Sequence, residues 1–127
     1  MRAFIVDDSA IVRMRLTELL VSDTDVTVVG QAGTVAAALQ EIPQVHPEFV
    51  LLDIQLPDGD GIRVLEAVKR MMPSPAVVMF TNYTDEYYRQ RCEVAGADFF
   101  LDKSKQFEEI PGLLRSLMHA KDEDRHG

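Results

Sequence analysis

Phe49-Val50-Leu51-Leu52-Asp53 is the stretch on which the fold turns. Four consecutive apolar residues with no polar alternation are how a strand reads when both faces of its sheet are covered. The run ends on a carboxylate, and a loop rich in breakers follows: Ile54-Gln55-Leu56-Pro57-Asp58-Gly59-Asp60-Gly61. Four more runs of strand length lie on either side. They are Ala3-Phe4-Ile5-Val6, Val26-Thr27-Val28-Val29, Ala76-Val77-Val78-Met79-Phe80 and Ala97-Asp98-Phe99-Phe100-Leu101.

Between these runs the period changes to that of a helix. Val12, Leu16, Leu19 and Leu20 share one face, as do Val35, Ala38, Leu39 and Ile42. Val64, Val68, Met71 and Met72 repeat the pattern, and so do Ile110, Leu113, Leu114 and Leu117. Residues 84–95 also read as a helix, with two candidate inner faces: Tyr88, Cys92 and Ala95, or Tyr87, Arg91 and Val94. Strand and helix alternate five times. The expected fold is therefore α/β: a doubly wound five-stranded parallel sheet with right-handed crossovers and five helices on its two faces. Five strands suit the flavodoxin-like order 2-1-3-4-5. Gly30 and Gly33 are expected to flank a turn, Pro43 and Pro47 to bracket a loop, and Pro73-Ser74-Pro75 to end the third helix. Pro111 lacks an N–H, which puts the start of the fifth helix near Ile110 after a looser turn over residues 104–109.

The 127 residues fit one domain, expected over 1–120, with a polar tail at 121–127. Thirteen basic against 21 acidic residues leave a net charge of −8, which argues against general nucleic-acid binding and against docking on an anionic membrane. The apolar runs are too short to span a bilayer, and the first residues lack a signal-peptide layout. Cys92, the single cysteine, excludes an internal disulfide and a cysteine-based zinc cluster, and is expected to be a buried apolar residue. These features predict a cytoplasmic protein. His46, His119 and His126 have no metal-ligand spacing. Met14, Met71, Met72, Met79 and Met118 read as core fillers. Of Tyr83, Tyr87 and Tyr88, one or two should pack on the sheet, and an exposed one would belong to a partner-docking face.

In such a sheet ligands bind at the carboxyl ends of the strands. Those ends carry Asp7, Asp8 and Ser9; Asp53; Thr81, Asn82 and Tyr83; and Asp102 and Lys103. Singly, an Asp pair reads as a helix cap, a Thr as turn chemistry and a Lys as solvated. Jointly, on strands adjacent in the expected order, they read as a site. Three carboxylates close together repel unless a cation neutralises them. An oxygen-only donor set points to Mg²⁺, with Mn²⁺ as the substitute. Cation, carboxylate, lysine and hydroxyl together are what phosphoryl transfer needs, and an aspartate can take the group itself.

The motifs Ile5-Val6-Asp7-Asp8-Ser9, Leu51 through Gly61, Met79-Phe80-Thr81-Asn82 and Gly96-Ala97-Asp98-Phe99-Phe100-Leu101-Asp102-Lys103 resemble the receiver domain of two-component response regulators, the CheY-like family, over residues 2–119. The resemblance implies a stand-alone receiver and a phosphoacceptor, not a conventional enzyme. It implies that Asp53 takes a phosphoryl group from a histidine kinase or a His-containing phosphotransfer protein. It makes Asp8 a direct Mg²⁺ ligand, Asp7 an acidic neighbour acting through metal-bound water, and Gln55 a ligand through its backbone carbonyl. Thr81 is implied to turn its hydroxyl to the phosphoryl group, Lys103 to pair with Asp53 or its phosphate, and Phe100 to be the aromatic switch. Asp60 would cap the third helix at the Asp60-Gly61 turn. Output would pass to a downstream protein on the face of the fourth helix, fifth strand and fifth helix, from a monomer or a phosphorylation-dependent dimer, with no direct nucleic-acid or membrane contact.

Three positions depart from the family pattern. Ser104 follows Lys103 where proline with a cis bond is usual; a cis bond before Ser costs roughly 2.5–4 kcal/mol, leaving a trans bond or a strained cis one. Asn82 replaces a smaller residue. Phe100 replaces Tyr, so a switch there works by packing alone. The alternative reading is a degenerate receiver acting as a phosphorylation-independent interaction module. A flavin-binding protein is disfavoured because Asp7 and Asp8 would repel the flavin phosphate, and a phosphatase because Asp-x-Asp is missing after the first strand.

Overall fold

In the computed structural model the five apolar runs become one parallel sheet. The structure describes residues 1–126; the side chains of Asp23 and of residues 121–126, and Gly127 entirely, lie outside the described residues. In chain order the elements are β1 (Arg2–Val6), α1 (Ala10–Asp23), β2 (Thr27–Ala32), α2 (Val35–Val45), β3 (Phe49–Leu52), α3 (Ile62–Lys69), β4 (Ala76–Thr81), α4 (Glu86–Ala95), β5 (Phe99–Asp102) and α5 (Ile110–His126). A short hairpin, Gln55–Leu56 against Gly59–Asp60, decorates the loop after β3. The sheet order is β2-β1-β3-β4-β5, the expected flavodoxin-like order. Register aligns the carboxyl ends: Val6 pairs with Leu52, Leu52 with Met79, and Thr81 with Asp102.

Because side chains alternate along a strand, the sheet divides its apolar residues between two cores. Phe4, Val6, Val50, Leu52, Val77 and Met79 face α2, α3 and α4. Ala3, Ile5, Phe49, Leu51, Val78 and Phe80 face Leu16 and Leu20 of α1 and Ile110 and Leu114 of α5. β3 is buried along its whole length, as its unbroken apolar run requires. In α4 the inner face is Tyr88, Cys92 and Ala95, while Tyr87 and Val94 are exposed. Asp85 caps that helix by accepting from Tyr88 N–H, so it begins at Glu86 rather than at residue 84. α5 begins at Ile110 after a 3₁₀ turn, Phe107–Glu109, as Pro111 predicts. It runs on to His126, and the side chains of the expected tail lie outside the described residues. Among the described residues no helix is long and apolar enough to cross a membrane.

Several local expectations need correction. Gly30 lies inside β2 and not in a turn; a Cβ there would sit 2.5 Å from the Phe4 ring on β1, so glycine serves close packing. Pro43 lies inside α2 and not in a loop, because the apolar face continues past it to Val45, which packs on the core. The helix stops one residue later, at His46, whose φ of 48° is left-handed. α3 ends at Lys69, ahead of the Pro73-Ser74-Pro75 segment. Met14 and Met72 are exposed, 55% and 93%, rather than core fillers, whereas Met79 is fully buried. The Lys103–Ser104 bond is trans; the cis bond among the described residues is Met72–Pro73.

Candidate functional site

The acidic loop after β1 is built by its own short-range hydrogen bonds. Asp7 N–H still bonds Ala32 O at 3.0 Å, extending the ladder one residue beyond β1. The Asp7 carboxylate then accepts from Ser9 N–H at 2.9 Å, and Ser9 Oγ caps α1 by accepting from Val12 N–H at 3.2 Å. This turn leaves the Asp7 side chain buried, 2% exposed, and Asp8 exposed. Beside it, Asp53 N–H donates to Val6 O at 3.0 Å and its Oδ1 accepts from Ile54 N–H at 2.7 Å. The chain then folds back over the Asp53 carbonyl. A Cβ on Gly61 would lie 1.9 Å from that oxygen, so only glycine permits the return.

Lys103 reaches in from the end of β5. Its N–H donates to Thr81 O at 2.9 Å, which seats it beside β4. Its Nζ donates to Asp53 Oδ2 at 2.7 Å and to Asp7 Oδ2 at 2.5 Å. Burial pushes the Asp7 carboxyl above its ordinary value, against the pull of Lys103 and Ser9. Burial works to lower the Lys103 ammonium, but its hydrogen bonds to Asp53 and Asp7 and their charges outweigh this and raise it.

One carboxylate oxygen from each of Asp7, Asp8 and Asp53 lies within 4.8 Å of the other two. One ammonium faces three carboxylates, which leaves a formal excess of two negative charges. With no His or Cys in the cluster, that excess and the hard oxygen donors fit a divalent cation such as Mg²⁺. The group lies in an open cleft of about 470 Å³ lined also by Gln55 and Asn82. Thr81 is fully buried and its hydroxyl accepts from Tyr83 N–H at 3.1 Å.

Not every strand-end residue joins the cluster. The Asp102 carboxylate accepts instead from Ser104 N–H and Oγ, at 2.9 and 2.6 Å, and stays outside the site. Asp60 is not the cap residue of α3. That position falls to Gly61, although the Asp60 carboxylate accepts from Ile62 N–H at 2.8 Å and pairs with Arg91 at 3.1 Å. Phe100 is half-buried beneath the Arg89 guanidinium, 4.5 Å from its ring. Tyr88 packs on the core, edge-on to Tyr83 and Tyr87, which are 38% and 62% exposed. Cys92 is buried, and burial pushes its thiol up to about 11.

Two contributors carry no sequence signal of their own. Arg13 Nη1 donates to Asp7 O at 2.5 Å. Asp58 accepts from Val35 and Ala36 N–H at 2.7 and 3.0 Å, tying the loop after β3 to the start of α2. Both stand among ordinary polar residues of a helix face or a turn, and their partners are distant in sequence or on the backbone.

Comparison with known proteins gives a consistent result. A family model described as the response regulator receiver domain matches residues 3–115. The DNA-binding transcriptional activator DevR/DosR of Mycobacterium tuberculosis is 36% identical over 116 residues, covering 91% of this chain and 54% of that protein. The sensory transduction protein LytT of Bacillus cereus is 38% identical over 109 residues, covering 86% of this chain and 43% of that protein. The chain thus spans about half the length of these curated relatives. Among solved structures, the response regulator domain of Thermotoga maritima CheB superposes with a TM-score of 0.80 at 28% identity, covering 94% of each chain.

Proposed function

The chain belongs to the response regulator receiver family of two-component systems, and on that premise we propose that Asp53 is its phosphoacceptor. Receivers are phosphoacceptors and not conventional enzymes. One observation supports this reading above the others: Lys103 Nζ bridges Asp53 and Asp7 inside a cluster of three carboxylates.

The donor is a phosphohistidine on a histidine kinase or a His-containing phosphotransfer protein. Asp53 Oδ attacks phosphorus, the P–N bond breaks, and the imidazole leaves with its electron pair and takes up a proton. A P–O bond to Asp53 forms, giving an aspartyl phosphate. A bound Mg²⁺ or Mn²⁺ supplies charge neutralisation at the transferring oxygens. Asp8, Asp7, Asp53 and the Gln55 carbonyl would hold it. Lys103 offsets the remaining charge and stays paired with the phosphate after transfer. The Thr81 hydroxyl exchanges its present bond for one to the phosphoryl group, and Phe100 repacks as Thr81 moves. The signal is then a population shift read by a downstream protein on the α4-β5-α5 face, in the cytoplasm.

Intact mass after incubation with acetyl phosphate tests the reading. The expected result is a gain of one phosphoryl group that requires Mg²⁺ and is absent in Asp53→Asn. No gain with either acetyl phosphate or a phosphohistidine donor would favour a receiver acting as a phosphorylation-independent interaction module.

A further inference from the structure

We propose that Arg13 is a positioning residue of the metal site, acting through the peptide that joins Asp7 to Asp8. This rests on the Mg²⁺ reading of the acidic cluster. Arg13 stands one turn into α1, where its N–H makes an early helical bond to Ser9 O at 3.0 Å. Its guanidinium folds back and Nη1 donates to Asp7 O at 2.5 Å, just past the end of β1. That oxygen belongs to the planar unit containing the α-carbons of both Asp7 and Asp8. Holding it fixes the plane, and with it the direction in which each side chain leaves the backbone.

The two aspartates depend on this unequally. Asp7 is also held by Lys103 and Ser9 N–H. Asp8 is exposed, and the contacts from Lys103 and Ser9 that hold Asp7 go to the Asp7 carboxylate and not to that of Asp8. Its aim is therefore set by its backbone, which the Arg13 guanidinium clamps. Arginine suits the task because its fork is planar, permanently charged and rich in donors.

Gly33 gives independent support. A Cβ there would lie 3.1 Å from Arg13 Nη1 and 3.7 Å from Asp7 O. The glycine leaves the space that the guanidinium occupies. One turn on, the Thr17 hydroxyl donates to the Arg13 main-chain carbonyl at 2.8 Å, a back-bond within α1 that leaves the guanidinium free to serve Asp7.

The test is Mg²⁺ titration by isothermal calorimetry on the full chain, with the melting temperature of the metal-free protein measured alongside. Loss of partners one shell out from a metal typically weakens affinity about 10–100-fold. Arg13→Met should raise the Mg²⁺ dissociation constant at least about tenfold, and Arg13→Lys should recover part of the loss. Phosphorylation of Arg13→Met by acetyl phosphate should return toward the wild-type rate at saturating Mg²⁺. A lower melting temperature with an unchanged Mg²⁺ constant would mean a merely structural role and would overturn the inference. If Arg13→Met does not fold, Gly33→Ala, which crowds the guanidinium without removing it, should weaken Mg²⁺ binding several-fold, and unchanged binding would again overturn it. A wild-type chain that binds no Mg²⁺ removes the metal reading and this inference together. Tight binding by both wild type and variant removes this inference alone.

Discussion

Lys103 Nζ lies 2.7 Å from Asp53 Oδ2, across 50 residues of chain, with side chains only 16% and 8% exposed. The same ammonium serves Asp7, whose side chain is 2% exposed. One cation therefore offsets two buried carboxylates that would otherwise repel.

Removing that cation leaves both carboxylates uncompensated. Lys103→Met should destabilise the metal-free protein by about 3 kcal/mol, the cost of breaking a buried pair from one side. Urea unfolding in a chelator measures it, and Mg²⁺ should restore part of the loss.

The same lysine predicts a pH dependence. Its ammonium is held above the ordinary 10.5 in the folded state. The folded state therefore binds the proton more tightly than the unfolded state does. Its stabilisation is full below 10.5 and is lost as pH rises through the folded value. The stability difference between wild type and Lys103→Met should be constant from pH 8 to 10 and shrink above that. A difference that grows with alkaline pH would contradict the pairing.

Asp8 offers a cleaner handle on the metal than its buried neighbours. It is exposed, so Asp8→Asn should change the metal-free melting temperature little. Wild type at a Mg²⁺ concentration about 100 times its dissociation constant should gain about 2.7 kcal/mol by mass action. Asp8→Asn should lose most of that gain, as thermal scans with Mg²⁺ and with chelator would show.

Two glycines separate packing from function. A Cβ at Gly61 meets the Asp53 carbonyl, and one at Gly30 meets the Phe4 ring. Gly61→Ala and Gly30→Ala should each cost about 1–3 kcal/mol through overpacking. Only Gly61→Ala should also slow phosphorylation well beyond its stability loss, because it displaces the backbone of Asp53.

Where physical cause is local, the sequence was legible. The unbroken apolar run before Asp53 placed a central strand, and Pro111 placed the start of α5. Alternation of strand and helix then brought Asp7, Asp8, Asp53 and Lys103 to one edge of the sheet. Gly30 looks like a turn residue in the sequence because the ring that demands it belongs to a neighbouring strand. Pro43 looks like a loop residue in the sequence because tertiary burial of Val45, which outweighs the local breaker, is not a local signal. Asp102 occupies a strand end like the others, but Ser104, two residues on, captures its carboxylate. The Lys103–Ser104 bond is trans, the default for a bond that does not precede proline. Arg13 and Asp58 act on backbone atoms, which no side-chain pattern reveals.

The most direct measurement is to phosphorylate the chain with acetyl phosphate and Mg²⁺, reduce the product with borohydride, and map the peptides by mass. Reduction converts an aspartyl phosphate to homoserine and marks the acceptor. Homoserine in place of Asp53, and absent when Mg²⁺ is chelated, is the expected result. Homoserine in place of Asp7 or Asp8, with Asp53 intact, would contradict the assignment.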